Sequence, residues 1–304
     1  MTTHQFQPAA YYTTFGSHPP ALHIADGDQV ITTTIDAGGS DAQGQPVAGS
    51  PNPQTGPFYV DGTDRGDTLQ VTLEALSPNR DIGYSYTVLA ANVVDPGYAR
   101  RLPERERAEW RIDSAGGSAA LLTPLAGLPR LTLPLNPMLG CLGVAPDGEQ
   151  FISTATSGPY GGNMDYVGFT SGVTAYFPVF VPGALLHLGD GHAIQGDGEL
   201  VGTGIEISFD VRFSVRVLKG KTIRWPRGEN EEFIFTVGNA RPLDQALQHA
   251  TTEMSQWLQE DYGLNEHSAG ILMGMCARYD LGNIFDPAYT MVCKMPKKVL
   301  ANIR

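Results

Sequence analysis

Glycine and proline interrupt this chain too often for long helices to dominate it. They number 36 and 22 among 304 residues, and glycine exceeds its ordinary share of roughly 7%. A helix bundle or coiled coil needs long glycine-poor runs, so both are excluded. No Gly-X-Y period is present, which excludes collagen. A 41% hydrophobic share is too high for bulk disorder. The remaining reading is a folded chain of many short strands joined by tight turns.

Charge narrows the partners. Charged residues make up only 17% of the chain, and 32 acidic residues outnumber 20 basic ones for a net charge of −12. Such a surface repels phosphate backbones, so no nucleic-acid partner is expected. No run of apolar residues is long enough to span a bilayer, so no membrane partner is expected either. The first residues carry no basic segment followed by an apolar one, and a cytoplasmic location is the expectation. Cys141, Cys276 and Cys293 form neither a CxxC pair nor an even disulfide set. Cys141 reads as a buried small hydrophobe, with a nucleophile as the sharper alternative.

Along the chain, the β-branched run from Val30 to Ile35 predicts a strand that delivers Asp36 into the loop Ala37-Gly38-Gly39. Residues 40–57 read as a long polar loop, and residues 68–74 alternate as a strand. Residues 100–110 hold the one dense charge run and read as a solvated loop. Short apolar segments follow at 119–125 and 131–135. Leu243, Ala246, Leu247, Ala250, Met254, Trp257 and Leu258 then recur at helical spacing, predicting an amphipathic helix over 242–260 that opens on Pro242. A second helix is predicted over 266–279 with Asn265 as its N-cap, and Tyr289 to Cys293 reads as a closing strand. The fold class is therefore mainly β. A β-sandwich or jelly-roll-like body over 1–240 carries a helical C-terminal layer over 241–304, as one α+β unit.

The densest chemical signal is residues 189–199, where Gly-Asp-Gly-His and Gly-Asp-Gly-Glu tetrads follow one another. Asp190, His192, Asp197 and Glu199 place four ligands or proton carriers within ten residues, in what reads as a loop after the apolar strand 176–181. Imidazole with carboxylates suits a divalent metal: Zn²⁺, or Ca²⁺ where oxygen dominates. The plainer alternative is a pair of Gly-Asp-Gly turns whose aspartates bond their own backbone. An EF-hand is excluded, because the alternating ligands and closing Glu are missing. A second constellation, Gly161-Gly162-Asn163-Met164-Asp165, offers an amide and backbone N–H groups to a developing oxyanion, and Asp165 as ligand or base. Asp36 is a third candidate. No HExxH, G-x-S-x-G or Walker loop is present. His4, His18, His187, His249 and His267 read as surface or satisfied residues, and His23 as a residue able to face a pocket.

These blocks resemble the acetamidase/formamidase family. The matching stretches are Asp36-Ala37-Gly38-Gly39, Asn52-Pro53-Gln54-Thr55-Gly56-Pro57, Pro137-Met138-Leu139-Gly140, Gly161 to Asp165, Val179 to Ala184, Gly189 to Glu199 and Gly202-Thr203-Gly204-Ile205-Glu206. The resemblance implies a mainly β fold with jelly-roll-like elements and hydrolysis of short amides to a carboxylate and ammonia. The partner would then be a small-molecule amide such as formamide or acetamide. One departure stands out: Tyr160 occupies a position where family members often carry His.

Amide hydrolysis needs an activated water, a stabilised oxyanion and a proton for departing ammonia. No serine or cysteine here has an evident partner base, so water activated by a divalent metal is the simplest nucleophile. The expected ligands are His192, Asp36 and Asp190. Glu199 or Asp165 would carry the proton, Asn163 would hold the oxyanion, and Glu206 is a reserve ligand or base. Two other readings stand beside this one. The first is hydrolysis of a larger amide, cyclic imide or lactam, with Tyr160 reshaping the pocket. The second is a non-catalytic, metal-stabilised β-rich binding protein. Low surface charge and the apolar stretch 176–186 point to a homo-oligomer.

Overall fold

The computed structural model describes residues 1–303. Strands hold 39% of the chain and helices 14%, so the architecture is mainly β. The strands carry the inward–outward alternation that half-buried sheets require. In Thr68–Pro78 the residues Leu69, Val71 and Leu73 are buried, and they face Val217, Val215 and Phe213 of the antiparallel strand Phe209–Leu218.

Nine strands form the largest sheet, in the order Thr3–Gln5, Gln29–Thr33, Phe209–Leu218, Thr68–Pro78, Thr174–Pro178, Arg227–Glu229, Phe233–Ala240, Tyr289–Pro296 and Arg278–Leu281. Six strands form a second sheet: Ser157–Gly158, Gly161–Asn163, Met138–Gly143, Leu186–His192, Thr55–Val60 and Leu22–Ile24. The two pack face to face. Phe58 of the second sheet meets Phe213 of the first edge-on, with ring centroids 5.2 Å apart. A four-stranded sheet, Thr132–Pro134, Ser118–Leu121, Arg107–Asp113 and Ile82–Tyr86, abuts the second sheet.

Helix Leu243–Tyr262 lies on strands Phe233–Ala240 and Tyr289–Pro296 of the large sheet. Its buried residues Ala250, Met254, Trp257 and Leu258 join Ile234, Cys293 and Met295 in a satellite core. A fully buried side chain of the size of Leu258 or Met254 stabilises by about 1.5–3 kcal/mol. Helix Glu266–Cys276 begins where its cap predicts, with Asn265 Oδ1 accepting from the Ser268 N–H at 2.9 Å. It stops three residues short of the expected 279, because Arg278–Leu281 pairs as an edge strand with Tyr289–Pro296. The segment after residue 240 thus adds both helices and two strands, and the large sheet runs unbroken across that point.

Three local expectations change. Gly189 to His192 is strand, not loop: Leu186–His192 pairs with Met138–Gly143, so Asp190 and His192 project from a sheet. The Gly-Gly-Asn stretch is likewise the strand Gly161–Asn163, with Asn163 opposite Cys141. The charge run 100–110 is a loop only up to residue 106. Arg107–Asp113 is a strand whose even positions Ala108, Trp110 and Ile112 are buried, an alternation hidden by the charges between them. Among the described residues, no helix is long and apolar enough to cross a membrane.

Candidate active site

The site forms where the four- and six-stranded sheets meet. Glu206 is the joint: its backbone bridges Tyr84 of one sheet and His192 of the other. The Glu206 N–H donates to Tyr84 O at 2.7 Å, and the Tyr84 N–H returns a bond at 3.1 Å. The run before Glu206 is irregular. Gly204 must pass directly over the His192 ring, where a Cβ would lie 2.6 Å from Cγ.

Two groups of ligand atoms converge here, each within 4.8 Å: Asp190, His192 and Glu206, and Asp165, His192 and Glu199. His192 belongs to both. Its Nε2 lies 3.0 Å from Glu206 Oε1 and 3.4 Å from Asp190 Oδ1, yet it has no hydrogen-bond partner. Asp190 Oδ1, Glu206 Oε2 and Asp165 Oδ1 are also buried and unpartnered. Buried polar atoms without partners are costly, on the order of 1–3 kcal/mol each and more for charged groups. All four belong to the two groups that share His192, and a cation there would satisfy them.

The other face of His192 is fixed. Its Nδ1 lies 2.8 Å from Gln195 Oε1. Gln195 Nε2 donates to the carbonyls of Asp165 at 2.6 Å and Gly282 at 3.3 Å. Carbonyls only accept, so the amide has one orientation, and Nδ1–H must donate to Oε1. In the neutral ring this leaves the Nε2 lone pair aimed at the carboxylates, as metal-ligating histidines are oriented.

The electrostatics agree. Burial alone would push the His192 imidazole down, but Glu206 and Asp190 overcome it and hold the group well above its ordinary value. Burial, then neighbouring carboxylates, raise Asp165 and Glu199 well above the usual carboxylate range. Burial pushes Glu206 up to about 7, with His192 opposing and Asp190 reinforcing. It pushes Asp286 up to about 6 against the hydrogen bonds of Asp165 and Asn163. The cluster is short of positive charge, which a divalent cation would supply. On donor chemistry and on orphaned atoms, the residues fit such an ion.

Backbone conformation marks the same residues. Asp165, Asp190, Glu199 and Asn52 all adopt left-handed φ values, from 39° to 57°. Non-glycine residues seldom do so, and such strain gathers where side chains must be aimed. Gly140 is needed for a related reason: a Cβ there would lie 2.4 Å from Asp165 Oδ1 and 2.7 Å from Asp190 Oδ2.

Above the cluster opens a cavity of about 310 Å³. Asp190, Glu199, Glu206 and Asp286 line it, with Asn52, Asn163, Tyr84, Tyr86, Arg105 and Phe285, while His192 and Asp165 sit beneath. Asn163 is more committed than expected. Its Nδ2 donates to Asp286 Oδ2 at 2.5 Å, and its Oδ1 accepts from Asn52 Nδ2 at 2.9 Å and Cys141 Sγ at 2.6 Å. Asp36 belongs to neither ligand group. Its carboxylate accepts from Arg80 Nη2 at 2.5 Å and from the Ser40 N–H at 2.9 Å.

Cys141 is fully buried, and burial together with Asp190, Asp165 and Asp286 raises its thiol, the opposite of what a thiolate nucleophile needs. Tyr160 does not reach the cavity. It is buried beside Phe15, its hydroxyl 3.4 Å from Thr156 O. His23 is exposed and paired with Asp61, whereas His187 is fully buried and half satisfied, its Nε2 3.3 Å from Gly16 O and its Nδ1 unpartnered.

The sequence reading missed Tyr84, Gln195, Asp286, Arg105 and Asn283, whose Nδ2 donates to Asp165 Oδ2 at 3.2 Å. Gln195 and Asn52 lay inside stretches already singled out, but as neutral amides they carry no ionisable signal. Asp286 had no local signal, because it meets Asn163 across 123 residues of chain.

Comparison with known proteins decides the relationship. The acetamidase/formamidase family model matches residues 148–253. The crystal structure of an acetamidase from Yersinia enterocolitica superposes with a TM-score of 0.85 at 30% identity, covering 98% of this chain and 93% of that one. The chain belongs to the acetamidase/formamidase family. A predicted acetamidase/formamidase from Thermoanaerobacter tengcongensis superposes with a TM-score of 0.84 at 28% identity, over 100% of this chain and 99% of that one. An acetamidase from Mycolicibacterium smegmatis is 32% identical over 173 residues, which is 54% of this chain and 39% of that protein. The chain thus spans 39% and 51% of the lengths of the two curated relatives it matches.

Proposed function

We propose that this member of the acetamidase/formamidase family hydrolyses short aliphatic amides to a carboxylate and ammonia. The observation that carries the reading is the convergence of unpartnered His192 Nε2, Asp190 Oδ1 and Glu206 Oε2 beneath a cavity edged by further carboxylates. His192, Asp190 and Glu206 would hold a divalent ion, Zn²⁺ by its imidazole and carboxylate donors, with Asp165 closing the set. When bound, that ion supplies a Lewis acid that acidifies water and polarises a carbonyl.

The chain's own groups do the rest. Glu199 lines the cavity and lies within 4.8 Å of His192, so its carboxylate is placed to take the proton of an attacking water. It then returns that proton to the amide nitrogen, so that the C–N bond breaks with ammonia as the neutral leaving group. Tyr84 is the donor we assign to the carbonyl oxygen. Its ring lines the cavity, and its hydroxyl makes no hydrogen bond to another described residue. Burial and the charges of Glu206 and Asp36 raise its pKa, so it stays a donor. Asn163 holds Asp286 and Asn52 in place. Gln195 holds the His192 ring.

Ammonia release from formamide, acetamide and propionamide tests this reading. Turnover that His192→Ala abolishes in a still-folded protein is expected. No ammonia from any of the three, or full turnover in the variant, would contradict it.

A further inference from the structure

The cavity holds more than a short amide needs, and one wall carries an unused cation. At roughly 30 Å³ per water, 310 Å³ is the share of about ten waters, whereas acetamide has four heavy atoms. Arg105 is the cationic side chain lining this cavity. Four carboxylates line it too, yet none lies within ion-pair distance of Arg105 among the described residues.

The guanidinium is nevertheless held firmly. Its centre lies 3.6 Å above the Tyr86 ring and 5.3 Å from the middle of Phe285. Nη2 donates to Val201 O at 2.7 Å and Gly202 O at 3.1 Å. Stacking and the two carbonyls fix the plane while leaving Nε and Nη1 without protein acceptors. A fixed guanidinium edge beside an aromatic wall is the usual recognition element for a carboxylate, which takes two parallel N–H···O bonds.

We propose that Arg105 selects substrates in which the amide is joined by a short chain to a carboxylate, such as the monoamide of a dicarboxylic acid. The amide end lies over the His192 cluster and the carboxylate end pairs with Arg105, which lines the same cavity. This rests on the amide-hydrolase reading and extends it to a substrate class. It also gives the loop before Arg107 a purpose: it carries the selecting residue to the cavity mouth.

Steady-state ammonia release from succinamate and acetamide by the wild type and Arg105→Gln tests the proposal, because glutamine keeps a donor for the two carbonyls and loses the charge. The wild type should favour succinamate in kcat/KM. In the variant the succinamate-to-acetamide ratio should fall about tenfold or more, the worth of one charge-assisted pair. An equal loss on both substrates means that Arg105 is only a clasp and overturns the proposal.

Calorimetric titration with succinate and acetate separates this result from failure of the hydrolase reading. If no amide yields ammonia, succinate binding weakened about tenfold by the substitution still supports Arg105 as a carboxylate receptor. Unchanged succinate binding overturns it.

Discussion

Gln195 touches no substrate, yet the site depends on it. Gln195→Met keeps the length of the side chain and removes its three hydrogen bonds, to His192 Nδ1 at 2.8 Å, Asp165 O at 2.6 Å and Gly282 O at 3.3 Å. Gly282 O retains the Gly198 N–H as a donor at 3.0 Å, so two buried groups are orphaned, His192 Nδ1 and Asp165 O. At about 1–3 kcal/mol for each, the fold loses about 2–6 kcal/mol. The unfolding midpoint then drops by at least about 3 °C. The functional loss is separate. Without Oε1 the ring is free to place its proton on Nε2, the atom that faces Asp190 and Glu206, and to rotate away from them. Loss of such an orienting partner lowers metal affinity about 10–100-fold. Competition against a chromogenic zinc chelator, run beside thermal melts, reads both effects. A variant that melts lower but binds zinc as tightly as the wild type would refute the claim that Gln195 orients His192.

Further substitutions probe other parts of the account. Gly140→Ala drives a Cβ against Asp165 Oδ1 and Asp190 Oδ2; calorimetry should show a loss of about 1–3 kcal/mol, and ammonia release should fall by more than the unfolded fraction explains. Tyr84→Phe removes one hydroxyl donor and should lower kcat about 10²-fold with little change in KM, measured on acetamide. Asp28 probes pH dependence away from the site. Burial would raise its pKa, but hydrogen bonds from His4 and from the Ala25 and Thr2 N–H groups hold it down at about 2. Its contribution, on the order of 1 kcal/mol after screening, is therefore complete above the ordinary value of 3.8 and lost as pH falls through 2. Urea unfolding of the wild type and Asp28→Asn at pH 6 and pH 3 should show the gap between them narrowing at the lower pH.

Much of this was legible in the chain, for reasons that differ by residue. The helix over 243–262 announced itself by 3.6-residue periodicity, and the Asn265 cap by its chemistry. The pairing of Asp190 with His192 was visible because both project from one stretch two residues apart. Glu206 joined them unseen as a principal member, because a bridge between two sheets leaves no periodic trace. Asp36 looked equivalent to Asp190 in sequence, each beside glycines. What separates them is Arg80, whose guanidinium reaches Asp36 from 44 residues away and occupies its carboxylate. The charge run misled in the opposite sense. Arg105 and Arg107 lay their guanidinium planes on the rings of Tyr86 and Tyr84, each 3.6 Å from a ring centre, and so brace two tyrosines of the cavity wall. Glycine-rich stretches read as loops because turns are the usual use of glycine. Here glycines also thin the backbone so that carboxylates and an imidazole can pack against it, as Gly140 in a strand and Gly204 in an irregular segment do.

The central claim is that the His192 cluster works on an amide by way of a bound divalent ion. Its most direct test is ammonia release from acetamide by protein stripped with a chelator, verified metal-free by elemental analysis, and then restored with zinc. The account predicts turnover in the protein as purified, loss on stripping and recovery on adding zinc back, with no recovery in His192→Ala. Metal-free protein that releases ammonia at the full rate would contradict it.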